Sequence, residues 1–426
     1  MNLFWFFLYN ILLYPLVFSV YLILAIVNAK IRNGFTARFK TISILKNYFS
    51  VSDNISDVYW FHVASLGEFM QLLPVLAKLK DNQPESTSLV SFFSPSGFNH
   101  CESDLVDLKI YLPFDFFWTV NKAIEIVKPK KIIFISYDIW PNLLWSAKRK
   151  GTQTNVFATT FEDDSNKLLR PISSFYFSLF SSFDAIYTVS ESDKLNLKKI
   201  IGDSHFSVIE ALGNPRYDNV YSGGKKISSK VINKNNTKKI ILGSTHNEDV
   251  RNILNYVIEM LNKDPDLKLI CVPHETTRQA IAKYQNIFLK SKIKTTIFEG
   301  DSIAEIPGDR VVIIGVVGLL SKLYDISSVA YIGGGFSSGI HNVMEPAAKA
   351  LPVIFGPNYK KFNEAEQLIN RGGGFSISSG SDFKNICTDL LSNSEKYSKA
   401  SEAALGVIEK NIGASEKIFG ALFKVK

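Results

Sequence analysis

Three segments set a carboxylate three residues after a hydroxyl or an amide: Ser65-Leu66-Gly67-Glu68, Thr245-His246-Asn247-Glu248 and Asn342-Val343-Met344-Glu345. That spacing suits a helix capping box or a near variant, in which the carboxylate does no more than accept a backbone N–H. The same carboxylate at the edge of a cleft could take a proton from an attacking hydroxyl as a general base. Four of the six histidines, His62, His246, His274 and His341, fall in or beside loops of this kind. No two share the close spacing of a metal-ligand pair, so hydrogen bonding to a ligand, with no metal, is the expectation. Gly333-Gly334-Gly335 would let the backbone approach a ligand, and N–H groups at a following helix start favour anions, so a phosphate-bearing ligand fits. Neither G-x-G-x-x-G nor the Walker pattern is present. Asp264-Pro265-Asp266 has the look of a metal-binding triplet, but it precedes a strand and so lies at the wrong end of a sheet. Cys101, Cys271 and Cys387 are odd in number and scattered, which excludes a zinc or redox set and leaves packing.

The elements that must position these groups alternate along the chain. Strand-like runs at 58–64, 88–93, 109–112, 131–136, 155–158, 184–189 and 206–209 are separated by helical segments such as 69–80, 120–127 and 143–150. The polar stretch 213–239, with Gly223-Gly224 and Asn235-Asn236, reads as an interdomain linker. Strand-like runs resume at 240–243, 267–272, 310–314, 329–332 and 352–355, and the end of the chain is helical. The expectation is an α/β protein of two doubly wound domains, 30–212 and 240–395, with a cleft between them and 396–426 returning toward the first. Ligands of open parallel sheets bind beyond the carboxyl ends of strands, which is where the loops carrying Glu68, His246, His274 and His341 fall.

Ahead of the first domain, Leu3–Val27 carries no charged side chain and a single amide, Asn10. It is long enough to span a bilayer as a helix, and no positive charge precedes it as in a signal peptide. We expect residues 1–29 to form a membrane anchor that neither sheet needs. Lys30, Arg32, Arg38, Lys40 and Lys46 follow it and predict, by the positive-inside rule, a cytoplasmic body drawn to anionic lipid of the inner leaflet. The 426 residues carry a net charge of +8, a mild excess that argues against a nucleic-acid partner and suits lipid headgroups or a phosphorylated substrate.

Taken in order, these segments resemble those of the 3-deoxy-D-manno-octulosonic acid (Kdo) transferases of lipopolysaccharide synthesis. Trp60-Phe-His-Val-Ala-Ser-Leu-Gly-Glu68 is similar to the family's W-I-H-x-x-S-x-G-E, Ser94-Pro-Ser-Gly97 to T-P-T-G, and Trp140-Pro-Asn-Leu143 matches W-P-N-L. Gly243-Ser-Thr-His246 and Gly339-Ile-His-Asn-Val-Met-Glu-Pro-Ala-Ala348 continue the likeness. Where the family has T-E-L-W, P-R-H-x-x-R and G-D-T-x-G-E-L, this chain has Tyr137-Asp138-Ile139-Trp140, Pro273-His274-Glu275-Thr276-Thr277-Arg278 and Gly315-Val316-Val317-Gly318-Leu319-Leu320.

The resemblance implies a GT-B fold, CMP-Kdo as donor, a lipid A precursor as acceptor, inversion at the transferred carbon and no cofactor. It implies Glu68 as catalytic base, and Ser65, Gly67, Ser94, Ser96 and Asp138 as acceptor contacts. For the donor it implies Ser244, Thr245, His246, His274, Arg278, Gly334, Gly335 and His341 around phosphate and carboxylate, with Asn342 and Glu345 positioning the nucleotide. Two other readings stay open: a GT-B enzyme with a different nucleotide sugar, or a membrane-bound GT-B scaffold without activity.

Overall fold

The computed structural model describes residues 3–51, 56–161, 172–202, 208–222 and 238–424. Most of the expected linker, 223–237, lies outside the described residues. The chain divides into two compact units, Met1–Asn219 with Ile412–Lys426, and Val220–Asn411.

The first unit holds a seven-stranded sheet: β1 (Val58–Val63), β2 (Thr87–Phe92), β3 (Leu108–Tyr111), β4 (Lys131–Ile135), β5 (Gln153–Thr159), β6 (Ala185–Thr188) and β7 (Val208–Ala211). Their order is β3-β2-β1-β4-β5-β6-β7, and every pairing is parallel. All six residues of β1 and of β2 are buried, as expected for strands covered on both faces. Leu72, Val75, Leu76 and Leu79 of the helix Leu66–Asn82 share one apolar cluster with Ile418, Phe419 and Leu422 of the last helix, Ala414–Phe423. Helices Phe117–Val127 and Pro141–Arg149 supply Val120, Ile124, Leu143 and Leu144 to the other face. The strand order reverses between β1 and β4, so loops leaving these two strands diverge to opposite faces and open a crevice.

The second unit repeats the plan with β8 (Lys239–Thr245), β9 (Lys268–Pro273), β10 (Thr296–Phe298), β11 (Val311–Ile314), β12 (Val329–Ile332), β13 (Val353–Phe355) and β14 (Gly374–Ser376). The order β10-β11-β9-β8-β12-β13-β14 is again parallel throughout, and it reverses between β8 and β12. The edge strands β10 and β14, each buried at only one of its three residues, show neither a period nor a continuous apolar run in sequence, unlike the fully buried β13. Helix Ser394–Asn411 stays in the second unit, and the return to the first begins at Ile412. There Gly413 and Ser415 donate their N–H groups to the two oxygens of Asp218, at 2.6 and 2.7 Å, fixing the start of the last helix. These two parallel doubly wound sheets are those of a GT-B glycosyltransferase fold, with an apolar N-terminal helix added.

That N-terminal stretch is helical from Leu3 to Val27, with a π-helical stretch at Tyr9–Leu13. Only 11% of its most apolar window is buried, so it is not an ordinary core helix and fits a membrane anchor. One face is nevertheless fastened to the first unit. Tyr9 donates to Asp115 at 2.9 Å, Tyr14 Oη accepts from the Asp115 N–H at 2.6 Å, and Asn10 exchanges amide hydrogen bonds with Asn142 at 2.8 and 3.0 Å. Residues 1–29, expected as an anchor that neither sheet needs, thus also supply Tyr9 as one donor to the fully buried Asp115. W-P-N-L has a structural task in the same place: the Asn142 and Leu143 N–H groups cap the Asp115 carboxylate, each at 3.0 Å.

Candidate functional site

At the reversal point of the first sheet, the loops after β1 and β4 bring carboxylates together. Ser65 caps the helix Leu66–Asn82, accepting from the Glu68 N–H at 3.4 Å, while Glu68 Oε2 accepts the N–H of Ala64. Glu68 is thus a cap by geometry, yet its protonation is not that of a surface cap. Burial pushes its pKa up to about 7, the backbone N–H of Ala64 pulls against this, and the charge of Asp138 adds to the rise. Asp138 is held in the ionised form instead. Burial works to raise it, but hydrogen bonds from His62 Nε2 and Trp140 Nε1, both at 3.0 Å, outweigh that and leave it below the ordinary carboxylate range. His62 is itself fully buried on β1 and fixed from behind by Ser91 Oγ, 3.0 Å from Nδ1. Two carboxylates with opposite shifts therefore lie at one crevice, a pairing suited to acid–base chemistry.

The remaining first-unit candidates frame that pair. Ser94 caps the short helix Pro95–His100 through the Gly97 N–H at 3.1 Å, and the Ser96 carbonyl accepts from His100 at 2.8 Å. A side chain at Gly97 would press on the backbone of Ser65 and Leu66, so the glycine lets the two loops lie side by side. Gly67 is exposed at the helix start. Arg38, expected in the basic flank that faces anionic lipid, is only 3% exposed. It donates to Tyr21 Oη at 2.6 Å and the Gly34 carbonyl at 2.7 Å, lies 4.7 Å over the Phe93 ring, and burial lowers its pKa.

In the second unit the reversal point falls at β8 and β12, and three histidines converge there, one of them from the adjacent β9. His246 follows β8, His274 follows β9 and His341 follows the turn after β12. Their rings stack with centroids 4.4–5.0 Å apart, and His246 Nε2 lies 2.7 Å from His341 Nε2. One nitrogen from each lies within 4.8 Å of the others, a spacing a metal ion could use and one that linear separation did not reveal. Burial pushes His341 down to about 4, helped by the charge of His274 and His246, and burial with the charge of His246 lowers His274 against the pull of Glu275.

Beneath this stack sits Asp249, which sequence reasoning missed. It is fully buried and accepts from the N–H of His246 at 2.7 Å, the N–H of Gly334 at 2.8 Å and Tyr331 Oη at 2.7 Å. The capping register is therefore His246 to Asp249, one residue later than Thr245 to Glu248, and an aspartate three residues beyond His246 was the available signal. Thr245 turns its hydroxyl inward to Tyr284. Ser244 adopts φ +51, a left-handed conformation that a serine rarely takes outside a constrained loop. The glycines serve the protein's own backbone: Gly334 has φ +91 and a Cβ there would strike Gly339, while one at Gly335 would strike Gly356. Asn342 donates to Glu345 at 2.7 Å and accepts the Met344 N–H at 3.1 Å, so these two begin as partners of one another. Arg278 is exposed at the first position of the helix Arg278–Lys290.

With this geometry in place, the comparisons are specific. The family model described as 3-deoxy-D-manno-octulosonic-acid transferase (kdotransferase) matches residues 32–219. The chain is similar to the 3-deoxy-D-manno-octulosonic acid transferase of Aquifex aeolicus, 29% identical over 82% of this chain and 91% of the relative. Proteins of the same description from Chlamydophila psittaci and Haemophilus influenzae are 28% and 26% identical, over 80% and 85% of this chain and 78% and 86% of theirs. Among solved structures, a UDP-GlcNAc 2-epimerase from Neisseria meningitidis aligns over 87% of this chain and all of its own, with a TM-score of 0.61 at 16% identity. A glycosyltransferase from Rickettsia africae does so over 87% and 100%, with a TM-score of 0.56 at 14% identity.

Proposed function

We propose that this chain, a glycosyltransferase similar over most of its length to the 3-deoxy-D-manno-octulosonic acid transferases, moves Kdo from CMP-Kdo to a lipid A precursor with inversion. The observation that carries this reading is Glu68, a carboxylate lifted to about 7 by burial beside a second carboxylate held ionised. An acceptor hydroxyl attacks the anomeric carbon of Kdo, its proton passes to Glu68, and the bond to the phosphate oxygen breaks so that CMP leaves with the electron pair. A base whose pKa lies near the working pH is ionised often enough to act and basic enough to take the proton. Such a group is worth roughly 10²–10⁴ in rate, or about 3–5 kcal/mol.

For the donor, the supporting features are the start of the helix Asn247–Lys263, the stacked His246, His274 and His341, and Arg278. Helix N–H groups and imidazole donors favour a single phosphate and a carboxylate. The apolar helix and its basic flank fit attachment to the cytoplasmic leaflet of a bacterial inner membrane, with anionic lipid as neighbour. The test is mass analysis of lipid A precursor incubated with the full chain and CMP-Kdo. Precursor carrying Kdo is expected; no product with CMP-Kdo, but product with a UDP-sugar, would overturn the donor assignment.

A further inference from the structure

Sugar transfer accounts for Glu68 and Asp138, but it gives no task to an apolar cavity that opens beside them. The cavity has a volume of about 380 Å³ and lies wholly in the first unit. One wall is the N-terminal helix, through Val17, Val20 and Leu24; the other is Phe93, Phe114 and Trp140. Arg38 is the one charged residue in its lining. Its donors reach Tyr21 on the helix and the carbonyl of Phe93 opposite, so it braces the two walls.

Two features identify an occupant. The first is continuity with the reacting centre: Trp140 forms part of the wall and donates to Asp138, whose charge acts on Glu68. The second is continuity with an apolar surface. Val17, Val20 and Leu24 are 50%, 49% and 43% exposed, and beside them Leu16 and Ile23 are more exposed still, so the slot opens along the side of the helix that fits a bilayer. A polar sugar gains nothing in such a space. A hydrocarbon chain gains about 0.8 kcal/mol per methylene removed from water.

We propose that this slot receives one acyl chain of the lipid acceptor, making the N-terminal helix a wall of the acceptor site as well as an attachment. The inference rests on the lipid-acceptor reading and adds a place for the chain. It also explains why the helix is pinned by Tyr9, Asn10 and Tyr14: a wall must keep its position relative to Trp140, whereas a tether need not.

The test uses the full chain in mixed micelles. Val20→Trp should fill the slot and raise the acceptor KM at least tenfold while leaving the donor KM unchanged. Val20→Phe, a smaller intrusion, should do so in part and covers the case in which tryptophan disturbs folding. Ile23→Trp, on the same helix but outside the slot, should leave the acceptor KM unchanged. With shortened acceptors the wild-type KM should rise about fourfold per methylene lost, the equivalent of about 0.8 kcal/mol, and Val20→Trp should flatten that series. Equal effects of Val20→Trp and Ile23→Trp, or no effect of either, would overturn the inference. A diazirine-bearing acyl lipid gives a second readout that needs no turnover. Labelling of the slot walls, displaced by acceptor and lost in Val20→Trp, supports it. Labelling by plain phospholipid that acceptor does not displace would assign the slot to bulk lipid. Absence of Kdo transfer by the wild type, with slot labelling intact, would fail the proposed reaction and leave the slot standing.

Discussion

Replacing Glu68 with glutamine sets the two uses of this residue against each other, because capping and catalysis make opposite demands on stability. The Glu68 carboxyl titrates at about 7 in the folded protein against 4.5 for the unperturbed group. Each unit is worth about 1.4 kcal/mol, so keeping the ionised form folded costs about 3 kcal/mol once the protein is above pH 7. The sign follows from proton counting. Between about pH 4.5 and 7 the folded state holds more protons than the unfolded one, so stability falls as pH rises and is level beyond. Glutamine keeps an acceptor oxygen for the Ala64 N–H but cannot ionise. At pH 4 the variant should match the wild type within about 1 kcal/mol; at pH 8 it should be the more stable by up to about 3 kcal/mol. Asp115, also raised to about 7 by burial, titrates in both proteins, so the difference between them isolates Glu68. The assay is thermal unfolding of both full chains in the same detergent from pH 4 to 8, where 1 kcal/mol corresponds to about 2–4 °C in a unit of this size. Transfer should fall by roughly 10²–10⁴ in the same variant, and the wild-type rate should climb tenfold per unit below about pH 7 before levelling. A glutamine variant that is destabilised by more than about 1 kcal/mol at pH 8, or that turns over normally at saturating substrate, would refute the base assignment and leave Glu68 as a cap.

Asp138→Asn removes the charge that helps raise Glu68, so the rising limb of the pH–rate profile should move to lower pH, and an unmoved limb would separate the two groups. Tyr9→Phe leaves an Asp115 oxygen short of a donor in a fully buried site and should cost about 1–3 kcal/mol by thermal unfolding, although Tyr9 lies in the apolar N-terminal helix. Arg278→Ala should weaken CMP-Kdo binding about ten- to a hundredfold by calorimetry while sparing the fold, and unchanged affinity would make it a solvated helix residue.

The parts of this molecule that could be read from its sequence share one property: their physics is local or repeats along the chain. Strands such as β1 and β2 are apolar throughout because both faces are covered, and the capping geometry of Ser65 and Glu68 is set by residues three apart. Length and hydropathy also marked out Leu3–Val27. What escaped depends on the third dimension. His246, His274 and His341 each follow a different strand, so their stacking is a product of the order β9-β8-β12 and leaves no trace in linear spacing. Arg38 reads as one cation among five in a basic flank until Phe93 and Tyr21 close over it. The pKa of Glu68 escapes for the same reason, since burial and Asp138, far along the chain, set it. The catalytic candidate was thus legible as a residue and not as a state. The protonation that separates a base from a cap is a property of the crevice at β1 and β4, and the experiment on Glu68 has to measure it there.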